Sequence, residues 1–140
     1  MSTDPETVAR RLIDEGFTGR DLAVCEELIS PDLVEHQDFG PGHAPGAAGV
    51  EAVIESLHRA YAGFRLEIQH LAVEGDRVWL HLRGSGTHSG PFMGHPPTGR
   101  EMAIDVFDLL RVENGKVVEH WGVPDRLGAL VQLGLVKPPV

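Results

Sequence analysis

The chain has 140 residues, of which 41% are hydrophobic, and a formal net charge of −9 with neutral histidines. This length can bury one core and is too short for two ordinary domains, so we expect one domain over residues 1–140. The negative charge disfavours phosphate backbones and anionic membranes, so neither a nucleic-acid nor a membrane partner is expected. The sequence shows no apolar run of about 18 residues and no signal-peptide layout, which favours a cytoplasmic protein.

The cysteine and histidine content argues against disulfides and metal centres. Cys25 is the only cysteine and lies among the apolar positions of a predicted helix, so we expect a buried structural thiol. The eight histidines form no H-x-x-x-H or H-E-x-x-H pair. We therefore predict no metal and no other cofactor, although ligands distant in sequence could still converge in a metal-dependent hydrolase.

The first half of the chain carries helical periodicity. Apolar residues recur every three to four positions in three segments, which predict helices at about residues 4–15, 21–30 and 48–62. Asp4 is the expected N-cap of the first helix, with Pro5 at its first position. A stretch rich in Gly and Pro, residues 39–46, is predicted to be a loop that could serve as a lid.

The second half changes to the periodicity of strands. From Phe64 the hydrophobic period falls from about 3.6 residues to 2, which predicts strands at about residues 64–73, 77–88, 101–112 and 116–123. A closing helix is predicted at about residues 126–134, with Asp125 as its N-cap. Three helices, four antiparallel strands and a closing helix form an α+β fold.

The last predicted hairpin places polar side chains on an otherwise apolar face. A three-residue loop, Glu113-Asn114-Gly115, would pair Asp108 directly with His120, with their Cβ atoms about 5 Å apart. A two-residue Asn-Gly turn would instead pair Asp108 with Trp121 and turn His120 to the other face. Side-chain patterning favours the three-residue loop and leaves Phe107 on the opposite face. It groups on one face Val106, Asp108, Leu110, Val118, His120 and Gly122.

Three sequence runs resemble the SnoaL-like polyketide cyclases of the nuclear-transport-factor-2-like superfamily: GTHSGPFMGHPPTG at 86–99, RVENGKVVEHW at 111–121 and PDRLGALVQLG at 124–134. The resemblance implies a cone-shaped barrel, in which a strongly curved, mainly antiparallel sheet is closed by the N-terminal helices around an apolar central cavity. It implies a homodimer packed through the convex sheet face. It also implies cofactor-free acid–base chemistry that removes a proton next to a carbonyl and closes a ring by an intramolecular aldol reaction.

One position departs from the family pattern. The resemblance places the acid–base aspartate of the cyclases directly after the position of Trp121, where this chain has Gly122, and glycine cannot transfer a proton. Asp108 matches a cavity-lining polar position of the family, and His120 and His88 match frequent histidines. We therefore predict that Asp108 and His120 are the catalytic pair of a cyclase, isomerase or dehydratase.

The predicted ligand is a small apolar carbonyl compound in a buried pocket. The alternative is a non-catalytic binding or accessory protein that has lost the family's acid–base aspartate and keeps the pocket. The residues predicted to contact the ligand are His36, Phe39, Tyr61, His88, Phe92, Met93, Val106, Leu110 and Gly122.

Overall fold

The computed structural model describes residues 3–140, in which a curled, open sheet of five strands is covered by helices. The elements, in chain order, are α1 (Pro5–Arg11), a π-helix (Leu12–Thr18), α2 (Leu22–Leu28), β1 (Ile29–Glu35), α3 (Gly46–Ala60), β2 (Tyr61–Glu74), β3 (Arg77–His88), β4 (Glu101–Glu113), β5 (Lys116–Pro124) and α4 (Arg126–Gln132). The strand order is β1-β5-β4-β3-β2. All neighbouring pairs are antiparallel except β1 with β5, so the fold is α+β with a mainly antiparallel sheet.

The first helix begins where the sequence places its cap and ends in an unexpected way. Asp4 accepts a hydrogen bond from the Thr7 amide, and Pro5 occupies the first turn, where its missing N–H costs nothing. Beyond Arg11 the helix does not continue as an α-helix to residue 15 but widens into the π-helix, which ends at Thr18. The side chains of Val8, Leu12 and Ile13 on this segment are buried in the core.

Strand β1 was absent from the sequence prediction. The helix predicted over residues 21–30 ends at Leu28, because Ile29 already has extended backbone angles and Pro31 cannot continue a helix. The chain then runs parallel to β5, with Val34 opposite Glu119 and Glu35 opposite His120. This strand adds a carboxylate, Glu35, beside the predicted site.

The β4–β5 hairpin starts in the two-residue-turn register, the alternative that we considered, and leaves it at a bulge. Asn114 and Gly115 form a two-residue turn with φ values of 51° and 76°, and Glu113 pairs with Lys116. A bulge follows, because Val112 pairs with Val117 whereas Arg111 pairs with Glu119. Asp108 therefore lies opposite Gly122, and His120 lies opposite Leu110.

The bulge keeps Asp108 and His120 on the same face despite the wrong predicted register. Each residue of slip reverses the face of a strand, and the extra residue at the bulge reverses it a second time. Asp108 and His120 thus become diagonal neighbours instead of a direct pair. The bulge also corrects the prediction for Val118, since Val117 is the residue buried in the core, at 1% exposure.

The core lies between the concave face of the sheet and the helices. Along β3 the even-numbered residues Val78, Leu80 and Leu82 are buried, whereas Trp79 on the opposite face is 48% exposed. The same alternation along β4 buries Leu110 and leaves Phe107 exposed. Inward-facing positions of β4 and β5 therefore face an apolar interior, and this is where Asp108 and His120 stand.

Candidate active site

His120 lies between two carboxylates that come from its two neighbouring strands. Its Nε2 is 3.2 Å from Asp108 Oδ1 on β4, and its Nδ1 is 2.5 Å from Glu35 Oε2 on β1. All three side chains are at most 20% exposed. These three side chains form a hydrogen-bonded chain, Asp108–His120–Glu35. The parallel pairing of β1 with β5 sets Glu35 opposite His120, and the bulge sets Asp108 diagonal to His120.

The two carboxylates decide the protonation state of His120. Burial disfavours the charged imidazole, but the hydrogen bonds and negative charges of Asp108 and Glu35 outweigh it and raise the pKa of His120 to about 9. At neutral pH the ring is therefore an imidazolium that donates one N–H to each carboxylate. It has no lone pair with which to accept a proton from a ligand.

Asp108 is therefore the group that can accept a proton. Within residues 3–140 its carboxylate makes hydrogen bonds only through Oδ1, to His120, so Oδ2 is available to a ligand. The imidazolium lies beside this carboxylate and compensates negative charge on it within a largely apolar wall. Chemically, this arrangement could serve as a buried general base that a charged histidine holds in orientation.

A cavity of about 690 Å³ adjoins Asp108 and His120. Its lining is mostly apolar, with aromatic and aliphatic side chains from α3, the sheet and α4, and its volume suits a ligand of several fused rings. A smaller cavity of about 50 Å³ is lined by Glu35, Asp108 and His120 together with apolar side chains of the N-terminal helices. Asp108 and His120 thus border both cavities, and Glu35 borders the smaller one.

Gly122 provides the space that the Asp108 carboxylate occupies. A Cβ atom at Gly122 would lie 2.6 Å from Asp108 Oδ1, 2.9 Å from His120 Cε1 and closer still to Gln37 Oε1. Any side chain here would displace one of these three groups. Gly122 is therefore required by the site, although it is absent from the set of residues that line the cavity.

Most of the predicted ligand-contacting residues do line a cavity. Leu110 lines the smaller one. The larger one is lined by Phe39, Tyr61, Phe92, Met93 and Val106, together with the predicted catalytic residues Asp108 and His120.

His36 lies outside both cavities. Side chains alternate along an extended chain, so Glu35 faces inward and His36 faces outward. On the outer face His36 stacks on Trp121, with ring centroids 4.5 Å apart, and its Nε2 is 2.7 Å from Glu119 Oε2. His36 is therefore not among the residues that line either cavity, and its contact with a ligand stays a prediction.

His88 is fully buried beside the cavity and does not line it. Its Nδ1 accepts hydrogen bonds from the Thr98 amide and the Thr98 hydroxyl, at 3.2 and 3.0 Å. Its ring packs near Tyr61, which does line the cavity, with the centroids 5.6 Å apart. These hydrogen bonds show that His88 anchors the loop of residues 89–99. The structure does not place His88 in direct contact with the cavity.

Sequence reasoning missed two polar residues of the site, Glu35 and Gln37. Glu35 is the last residue of β1 and Gln37 lies two residues beyond it, and β1 is the strand that was not predicted. The alternation of Leu33 and Glu35 toward one face was the available signal, but a strand paired with a segment about 85 residues later leaves no local pattern.

Two further findings concern metals and membranes. Within residues 3–140, no group of three or more His, Cys, Asp or Glu side chains is arranged to hold a metal ion. Across the same residues, no helix combines the length and apolar character needed to cross a membrane.

The curled sheet, the helical cover and the apolar cavity define a cone-shaped fold of the nuclear-transport-factor-2-like type. The SnoaL-like polyketide cyclase family matches residues 7–133. The chain is 30% identical to aklanonic acid methyl ester cyclase DnrD from Streptomyces peucetius, covering 96% of this chain and 92% of that protein. It is 30% identical to nogalonic acid methyl ester cyclase from Streptomyces nogalater, covering 84% and 87%. The chain belongs to the SnoaL-like polyketide cyclase family.

The fold is also that of a solved relative. The structure of TsrD from Streptomyces laurentii matches with a TM-score of 0.84 at 24% identity, over 94% of this chain and 95% of that one. This match confirms the fold.

Proposed function

We propose that this protein is a cofactor-independent acid–base enzyme of the polyketide cyclase type, which closes a ring by an intramolecular aldol reaction. The observation that carries the proposal is the buried chain Asp108–His120–Glu35, which places a carboxylate with a free oxygen in the wall of an apolar cavity. A cavity built only to bind an apolar ligand would gain nothing from three ionisable groups, whose burial is costly.

The reaction needs only proton transfers and one new carbon–carbon bond. Oδ2 of Asp108 takes a proton from a carbon next to a carbonyl, and the electron pair of the C–H bond moves into an enolate. The enolate carbon attacks a second carbonyl carbon of the same molecule, forming the C–C bond and an alkoxide. The alkoxide then recovers the proton from Asp108, so the product is an isomer of the substrate. His120 holds Asp108 in orientation through its hydrogen bond to Oδ1.

The substrate class that we propose is the methyl ester of a polycyclic polyketide acid. Two relatives at 30% identity are cyclases of aklanonic acid methyl ester and nogalonic acid methyl ester. A cavity of about 690 Å³ with a mainly apolar lining has the size and character for a fused-ring ligand. The apolar walls would fold the substrate so that its reacting carbons meet.

The test compares Asp108→Asn with a matched variant of the same strand. Asp105 lies on the outer face of β4, where it pairs with His81 at 2.8 Å, so Asp105→Asn is the control. Purified proteins are given aklanonic acid methyl ester in D₂O, and mass spectrometry follows deuterium uptake and formation of an isomer. We expect the wild type and Asp105→Asn to react and Asp108→Asn to lose at least about 10²-fold in rate.

Two outcomes would overturn the proposal. The first is reaction of Asp108→Asn as fast as the control, which would remove Asp108 from the mechanism. The second is tight binding of the ester by the wild type without exchange or turnover, which would support the alternative of a non-catalytic binding protein.

We further propose that the protein forms a homodimer through the outer face of the sheet. This face carries the exposed apolar side chains Trp79, Phe107 and Val123, and Val123 is 71% exposed. Large exposed apolar patches mark interaction surfaces. Sedimentation velocity should give a dimer for the wild type and a monomer for Phe107→Glu, and equal sedimentation of the two would contradict this interface.

A further inference from the structure

We propose that Gln37 is a further catalytic residue, whose side-chain amide donates a hydrogen bond to the oxygen that becomes negatively charged when Asp108 removes the proton. The inference deepens the proposed function and rests on it. It starts from the space above Gly122, where three side chains from three segments converge.

The geometry places Gln37 next to the base. The position of a Cβ atom at Gly122 lies 2.6 Å from Asp108 Oδ1, and Gln37 Oε1 lies closer still to the same point. The Gln37 amide and the Asp108 carboxylate are therefore immediate neighbours, and both residues line the larger cavity. The carbon that loses its proton is bonded to the carbonyl carbon. The base that takes the proton and the hydrogen-bond donor that binds the carbonyl oxygen must therefore lie close together.

The Gln37 amide is free to bind a ligand. Within residues 3–140 its side chain makes no hydrogen bond, and with Oε1 over Gly122 the NH₂ group is left for another acceptor. Its backbone is held in place, since the Gln37 N–H donates to Glu35 Oε2 at 3.2 Å. The donor is thus tied to the same carboxylate that orients His120.

The reaction requires a donor that His120 cannot supply. Both N–H groups of His120 are engaged, one by Asp108 and one by Glu35. Of the other uncharged amide and hydroxyl donors in the cavity wall, Ser56 belongs to α3 and the Tyr61 hydroxyl is buried behind the surface. Gln37 is the donor residue whose side-chain amide, through its Oε1, reaches the space above Gly122 next to Asp108 Oδ1. An amide preorganised toward the developing enolate would stabilise the transition state more than the ground state.

The kinetic test replaces Gln37 by leucine, which has similar size and no donor. The matched control is Gln69→Leu on the exposed edge of β2, whose only side-chain hydrogen bond within residues 3–140 is to the Glu67 carbonyl. We expect Gln37→Leu to lower kcat for aklanonic acid methyl ester by about 10²-fold to 10³-fold with little change in KM. The control should react as the wild type does.

A second measurement needs no turnover. In Asp108→Asn, the phenol 2-naphthol serves as an enolate mimic whose ionisation is followed by absorbance. We expect the added Gln37→Leu change to raise the pKa of the bound phenol by about one unit or more, because one donor to the phenolate oxygen is lost. A merely structural role of Gln37 would leave this pKa unchanged. Circular dichroism confirms that each variant is folded.

The outcomes separate the two proposals. If Asp108→Asn abolishes deuterium exchange while Gln37→Leu keeps kcat within twofold and the phenol pKa is unchanged, the inference on Gln37 is overturned and the proposed function stands. If Asp108→Asn exchanges as fast as the wild type, both are overturned. Loss of kcat together with a raised phenol pKa supports the role of Gln37.

Discussion

The charge on His120 should make the stability of the protein depend on pH in a defined window. The ordinary pKa of 6.5 is raised to about 9 in the folded protein, because burial, which lowers it, is outweighed by hydrogen bonds to Asp108 and Glu35. At roughly 1.4 kcal/mol per pKa unit, this difference contributes about 3 kcal/mol to the free energy of unfolding. Since the folded pKa is the raised one, the contribution is fully present below about pH 6.5 and is lost as the pH rises through about 9.

Urea unfolding followed by circular dichroism between pH 6 and pH 10 measures this loss. His120→Gln is the comparator, because it keeps a hydrogen-bonding side chain and lacks the titrating ring. We expect the difference in free energy of unfolding between the wild type and His120→Gln to shrink by about 3 kcal/mol over this range. Two parallel pH profiles would refute the reasoning, as would an NMR titration of the His120 ring with its midpoint near 6.5.

Three further perturbations test individual contacts in the structure. Glu35→Gln should lower the NMR titration midpoint of His120 by roughly one unit or more, because one charge is removed while burial persists, and an unchanged midpoint would exclude a charge interaction with Glu35. Gly122→Ala should lower the activity at least about tenfold, because the new Cβ displaces Asp108 or Gln37, and a fully active variant would show that the space is not needed. Asp125→Ala should cost about 1 kcal/mol in urea unfolding, because the Gly128 amide loses its 2.9 Å cap, and no loss would contradict the capping role.

The sequence predicted the parts of the fold that depend on local patterns. The change from helical to strand periodicity at Phe64 gave four of the five strands, and the capping residues Asp4 and Asp125 fixed two helix starts. Strand β1 was missed because its partner is β5, and a parallel pairing between distant segments leaves no signal in either one. The widening of the first helix into a π-helix also has no local signature in the apolar spacing.

The structure brings Asp108 and His120 together, as predicted, in a register that differs from the predicted one. Asp108 and His120 do meet, at 3.2 Å, but through a two-residue turn and a bulge whose effects on side-chain direction cancel. A bulge leaves the alternation of apolar and polar residues almost unchanged, so side-chain patterning could not reveal it. The roles within the pair could not be predicted either, because they depend on Glu35, the second carboxylate on His120.

The glycine at position 122, where the resemblance implies an aspartate, lies against the Asp108 carboxylate. Gly122 and Asp108 are direct partners in the β4–β5 register, so their side chains would occupy the same space on the concave face. In that space this chain has a carboxylate oxygen from β4, 2.6 Å from where the Cβ of a residue at 122 would stand. An aspartate at position 122 would have to displace Asp108, because both side chains would occupy the same space. The two carboxylates would also repel each other as like charges. Gly122 on β5 therefore leaves the room that the Asp108 side chain on β4 fills. In this way the cavity wall keeps one carboxylate.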